Sequence, residues 1–199
     1  MTETWFTSDL HFGHKFMADL RGIGRDKLAE HDEMLIENWR SVVGSRDTVH
    51  FLGDFSFHPK TGGANEKIFA ALTGIKHLKV GNHDPSGVRA LPWASVENLE
   101  HISIEGQKFV LCHYPMLTWA NAHKGVLHLH GHTHGNLKAD LVSSRMDVGV
   151  DCHPEHRPFN ISECLEILKD RPYDYVDHHT EASAAREGAS GGGVWGFPS

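Results

Sequence analysis

Five short apolar runs in this chain each end in a group of Asp, His or Asn. Asp9-Leu10-His11 follows Trp5, Phe6 and Thr7, and Gly53-Asp54 follows Val49, Phe51 and Leu52. Gly81-Asn82-His83-Asp84-Pro85 follows Ile75, Leu78 and Val80; Cys112-His113-Tyr114-Pro115 follows Phe109, Val110 and Leu111. Gly131-His132-Thr133-His134-Gly135 follows Val126, Leu127 and Leu129. Such polar groups gain little from a core and lose hydration if buried unpaired. Strand ends in an α/β layer are also where ligands bind. The pattern reads as one site fed by several strands.

The candidate ligands are two carboxylates, one amide and several imidazoles, with no thiolate. Oxygen and nitrogen donors of this kind suit Mn, Fe, Zn, Co or Ni and argue against a structural cysteine-type zinc site. Seven of them (Asp9, His11, Asp54, Asn82, His113, His132 and His134) exceed the needs of one tetrahedral ion. Two divalent ions about 3.5–4 Å apart, bridged by one carboxylate, would use them all. Mn²⁺ is the expected ion. Such a pair clamps a phosphoryl group and lowers the pKa of a bridging water, so no protein nucleophile is required. His83 is surplus to the ligand count and is free to protonate a leaving alkoxide as the general acid, with Asp84 available to orient its ring.

The elements that must position these groups are legible as periodicity. Strands are expected near 4–8, 47–52, 76–80, 100–105, 107–112, 125–129 and 145–150, with a hairpin turn at Glu105-Gly106. Helical spacing of Leu28, Leu35, Ile36, Trp39 and Val43 predicts a helix over 26–43, closed by Gly44. A second, short helix is expected over 64–72, and Ser162 is a fair N-cap for a last one. Residues 9–15 and 55–63 read as loops, 86–91 as helix or loop, and 116–124 as irregular or weakly helical. Helices alternate with strands early and strands dominate later. The expected fold is therefore an α/β sandwich of two mixed sheets, layered α/β/β/α.

One domain over residues 1–172 suits the 199-residue length, followed by an Ala/Gly/Ser-rich tail over 173–199 with an isolated Val194-Trp195-Gly196-Phe197. That aromatic end offers a route to oligomers. A charge of −7 without a basic run argues against an extended nucleic-acid surface, though not against a phosphate substrate beside bound cations. Three scattered cysteines, no apolar run of 18 residues and no signal-peptide pattern point to a cytoplasmic protein with no membrane span.

In order and type, Asp9-Leu10-His11, Gly53-Asp54, Gly81-Asn82-His83-Asp84, His113 and Gly131-His132-Thr133-His134 resemble the five motifs of calcineurin-like metallophosphoesterases, over about residues 4–160. The short form, with Ser8-Asp9-Leu10-His11-Phe12-Gly13-His14, is similar to small bacterial and phage members. The resemblance implies Asp9, His11, Asp54 and His134 on a first metal. It implies Asp54, Asn82, His113 and His132 on a second, Asp54 bridging, with His83 the acid. Some relatives of that size cleave 2′,3′-cyclic nucleotides, which makes a nucleotide the expected substrate; a protein or small-molecule phosphomonoester is the alternative.

Blander readings stand beside these. His14 could touch substrate phosphate or simply cap a helix, and Arg21 and Arg25 could bind phosphate or be solvated loop charges. His128 and His130 read as wall groups on a strand. His50, His58, His77, His101 and His123 read as ordinary histidines, His153 and His156 as occupants of a Pro-containing loop. Three rival functions are a metallo-β-lactamase-like hydrolase, a fold-sharing scaffold without metals and a metal-storage protein. The absent His-x-His-x-Asp-His pattern disfavours the first. The complete ligand set disfavours the second, and an acid beside a ligand is needless in the third.

Overall fold

The computed structural model describes residues 2–138, 140 and 143–171. The tail over 173–199 and Pro172 lie outside the described residues. Nine strands, β1 (Thr4–Thr7), β2 (Thr48–Phe51), β3 (Ile75–Lys79), β4 (Ser95–Glu97), β5 (Leu99–Ile104), β6 (Gln107–Cys112), β7 (Leu127–His130), β8 (Arg145–Asp147) and β9 (Phe159–Asn160), form two sheets. The first runs β4-β3-β2-β1-β9 and the second β5-β6-β7-β8. β1 to β4 are mutually parallel with β9 antiparallel at the edge; β6, β7 and β8 are parallel with β5 antiparallel. Both sheets are mixed, as an α/β sandwich requires.

Strand alternation sorts the core into layers. Val49 and Phe51 face one way, onto Leu35, Trp39 and Phe69 of the helices α2 (Leu28–Val42) and α3 (Ala64–Ala71). Phe6 and Leu52 face the other way, onto Phe109, Leu111 and Leu129 of the second sheet. The outer face of the second sheet is covered by Val110 with Trp119, Ala122 and Val126, around a 3₁₀ turn at Ala122–Lys124. The last helix, α5 (Ile161–Leu168), closes the seam by burying Ile161, Cys164 and Leu168 among the inter-sheet residues. At the other end of that seam Lys79, fully buried, meets Glu100 at 2.8 Å, with His50 stacked on Phe6.

Several local expectations differ from the structure. The N-cap of α5 is Asn160, whose side chain accepts the Ser162 amide while Glu163 returns to the Asn160 amide, so Ser162 is the second helical residue rather than the cap. The loop after β1 contains a short helix, α1 (Lys15–Leu20), too brief to show periodicity. Strands β4 and β9 span only 3 and 2 residues. The remaining helix, α4 (Ser86–Arg89), follows Pro85. No helix among the described residues is long and apolar enough to cross a membrane.

Candidate metal centre

The ends of the parallel strands converge because their loops are laced together by backbone hydrogen bonds. Asp9 N–H donates to Gly53 O (2.9 Å), His11 N–H to Asp54 O (3.1 Å) and Phe12 N–H to Phe55 O (3.0 Å). Gly131 N–H donates to His113 O (2.9 Å), which joins the two second-sheet motifs. Two groups of donor atoms result, each gathered within 4.8 Å: Asp9, His11 and His134, and Asp9, Asp54 and His113.

Asp54 stands between them. Its Oδ2 lies 3.7 Å from His11 Nε2 and its Oδ1 3.6 Å from His113 Nε2. Asp9 Oδ1 lies 3.7 Å from His11 Nε2 and 3.8 Å from His134 Nε2. It is buried and has no hydrogen-bond partner, whereas Oδ2 of the same carboxylate accepts from Ser8 Oγ and the His132 amide. Separations of this size are too long for hydrogen bonds. They match donors spaced around a shared cation with bonds of about 2.0–2.2 Å.

The tautomers tell the same story. His113 Nδ1–H donates to Leu52 O at 2.7 Å, which turns its Nε2 toward the cluster, where Asn82 Oδ1 lies 3.0 Å away. His134 Nδ1–H donates to Asp151 Oδ2 at 2.7 Å, which turns its Nε2 toward Asp9. Burial pushes the Asp9 carboxyl up to about 6 and drives the His11 imidazole well below its usual range. A carboxylate short of positive charge beside a neutral imidazole is a site suited to a divalent ion. The donor set therefore fits the binding of divalent cations expected from its chemistry.

The backbone is strained at these positions. Asp9, His11, Asp54, His132 and His134 all have φ between 48° and 72°. Each such conformation costs a non-glycine residue about 1–3 kcal/mol and persists where surrounding structure enforces it. The neighbouring glycines are required by close approach: a Cβ on Gly53 would lie 2.7 Å from His113 Nδ1, and one on Gly81 or Gly131 would collide with Asp54 or with Ser8 and Asp9.

The remaining sequence-derived residues fall into two sets. Asn82, His83 and His132 are exposed on the open side of the cluster. The His83 ring lies 5.8 Å from that of His11, its amide donates to Asp54 Oδ1 at 2.8 Å, and the His132 ring lies 5.1 Å from that of His113. His14 is half-buried at the rim and also caps α1, accepting the Met17 amide. Two readings are corrected. Asp84 does not orient His83: both its oxygens are engaged by the amides of Asp54 (2.9 Å), Phe55 (2.9 Å) and Gly81 (2.8 Å), so it clamps two motif loops together. Arg21 is no substrate contact. Its side chain is 1% exposed and donates to Asp151, Leu10 O and Asp9 O, with His31 Nε2 at 2.8 Å. His130 faces away from the cluster, onto Asp140 at 2.6 Å.

Sequence reasoning missed Asp151, which orients His134, and Asp147. Asp147 accepts from Thr133 Oγ1, Gly135 N and Gly149 N and so holds the Gly131–Gly135 turn on β8. The available signal was a sixth strand end: Gly149-Val150-Asp151 follows β8 just as Gly53-Asp54 follows β2.

Fold and site together define an α/β sandwich whose strand ends carry a buried histidine–carboxylate cluster suited to divalent cations. The chain is 30% identical to the Gene 66 protein of Mycobacterium phage L5 over 89% of its own length and 96% of that protein's, and it belongs to that family. A protein of unknown function from Aquifex aeolicus shares the fold, with a TM-score of 0.67, 24% identity, and coverage of 84% of this chain and all of that one. A predicted phosphoesterase from Streptococcus pneumoniae aligns with 67% of this chain and 63% of its own at 16% identity; its TM-score of 0.36 is too low to bear on function. No family model matches the chain.

Proposed function

We propose that the chain is a metal-dependent phosphoester hydrolase of the calcineurin-like type, acting on a nucleotide-type ester such as a 2′,3′-cyclic nucleotide in the cytoplasm. The observation that carries this reading is Asp54, with one oxygen toward each ligand group. Asp9, His11, Asp54 and His134 would hold one divalent ion and Asp54, Asn82, His113 and His132 the other, with Mn²⁺ the preferred occupant. Bound there, the ions supply Lewis acidity toward the phosphoryl oxygens and a nucleophile at neutral pH. His83, exposed at the mouth and tied through its amide to Asp54, gives its ring proton to the departing alkoxide. Asp84, Asp147 and the Arg21–Asp151 pair hold the donors in place before substrate arrives.

The test is hydrolysis of a panel comprising p-nitrophenyl phosphate, its bis ester and the cyclic nucleotides, across Mn²⁺, Zn²⁺, Ni²⁺, Co²⁺ and chelator. Turnover that needs a transition-metal ion is expected. Full turnover in chelator would reject the reading, and metal binding without turnover on any ester would favour a scaffold of the same fold.

A further inference from the structure

Two large aromatic side chains stay exposed beside the ligand groups, and metal binding requires neither. Phe57, 39% exposed, has its ring centroid 4.0 Å from that of His14, 4.8 Å from His83 and 5.4 Å from His11. Tyr114, 45% exposed, lies 4.9 Å from His113 and 4.8 Å from His132. Each ring thus stands against a different ligand group.

Neither is a wandering loop residue. Phe57 N–H donates to Phe12 O at 2.7 Å, one residue beyond the bridge between Phe12 and Ser56. The backbone around Tyr114 is anchored on both sides: His113 O accepts the Gly131 amide, and the Met116 amide donates to His128 Nε2. The Tyr114 ring is not needed to hold His113, which is already fixed by Leu52 O, and a purely supporting ring would gain by being covered. Rings whose backbone is anchored and whose faces stay in water beside the donors can stack on a planar group of the substrate.

We infer that the site takes a phosphodiester with a planar group on each arm, the leaving arm stacked on Phe57 beside His83 and the retained arm on Tyr114. This inference rests on the phosphoester reading above and narrows it to open diesters, since a 2′,3′-cyclic nucleotide carries one base on a closed ring and would leave one platform unused. A monoester has one organic arm and would leave one platform unused. Aromatic stacking tolerates many rings, so the expected class is aryl or nucleoside diesters rather than one base.

The manganese-loaded protein is titrated calorimetrically with diphenyl phosphate and with dimethyl phosphate, alongside Phe57→Leu and Tyr114→Leu. Both residues are exposed, so the variants keep the wild-type unfolding midpoint. The wild type binds the diphenyl ester about a hundredfold more tightly, each variant loses about tenfold of that preference and keeps the rest, and dimethyl phosphate stays within about twofold throughout. A diphenyl preference undiminished in either variant overturns the two-armed assignment. Failure of the wild type to bind either ester overturns the phosphoester reading itself, and the platforms with it.

Discussion

Arg21 grips Asp151 with two parallel hydrogen bonds, Nε to Oδ1 at 2.7 Å and Nη2 to Oδ2 at 3.0 Å. The same carboxylate accepts the Nδ1 proton of His134, and the same guanidinium reaches the carbonyl oxygens of Asp9 and Leu10. One buried fork therefore fixes a candidate ligand's tautomer and the loop carrying two others. Asp151→Asn should weaken the metal at the His134 group about 10–100-fold and spare the His113 group. Stepwise metal titration of the apoprotein reads this directly: one weakened equivalent is expected, and two unchanged equivalents would remove Asp151 from this role. Arg21→Lys, which keeps charge but not the fork, should fall between.

Asp54→Ala should abolish turnover and weaken both ions, because this carboxylate faces His11 with one oxygen and His113 with the other. Asn82→Ala should depress only the second ion. Metal content after dialysis together with turnover checks both; full activity in Asp54→Ala would reject a shared pair.

His83→Ala should retain its metals, since the ring lies outside both buried donor groups. Its rate loss should be greatest for poor leaving groups and small for p-nitrophenolate, which departs without a proton. Rates across a leaving-group series test this, and a uniform loss would assign His83 to substrate binding instead.

Asp84→Ala leaves three amides, those of Asp54, Phe55 and Gly81, without their acceptor. A buried orphaned donor costs about 1–3 kcal/mol. Chemical denaturation should show a loss of several kcal/mol together with weaker metal binding. A stable variant deficient only in kcat would instead restore a catalytic role for the residue.

His128 links stability to pH. It is fully buried as the neutral Nδ1–H tautomer, donating to Val110 O and accepting the Met116 amide at Nε2, and burial pushes its pKa from 6.5 to about 4. Between those values the unfolded chain binds the extra proton and the folded chain does not. Stability is thus full above about pH 6.5, falls as pH drops toward 4, and levels off below. At about 1.36 kcal/mol per unit the loss approaches about 3 kcal/mol. Urea unfolding at pH 7 and pH 5 should show a smaller difference in His128→Gln than in the wild type.

The donors were readable in the chain because metal chemistry demands particular residue types, and strand-then-turn periodicity sets them at predictable ends. Asp9, His11, Asp54, His113 and His134 were all visible that way, whereas the packing of Phe6 and Phe51 on opposite sides of one sheet came from the structure. Which acids touch candidate ligands and which touch backbone amides was not visible, since Asp84 and Asp151 look alike as letters. Only folding sets Asp84 against three N–H groups and Asp151 between His134 and Arg21, partners up to 130 residues apart in sequence. Local spacing encodes elements and their polar ends, whereas the pairing of side chains across loops depends on where the sheets bring those ends.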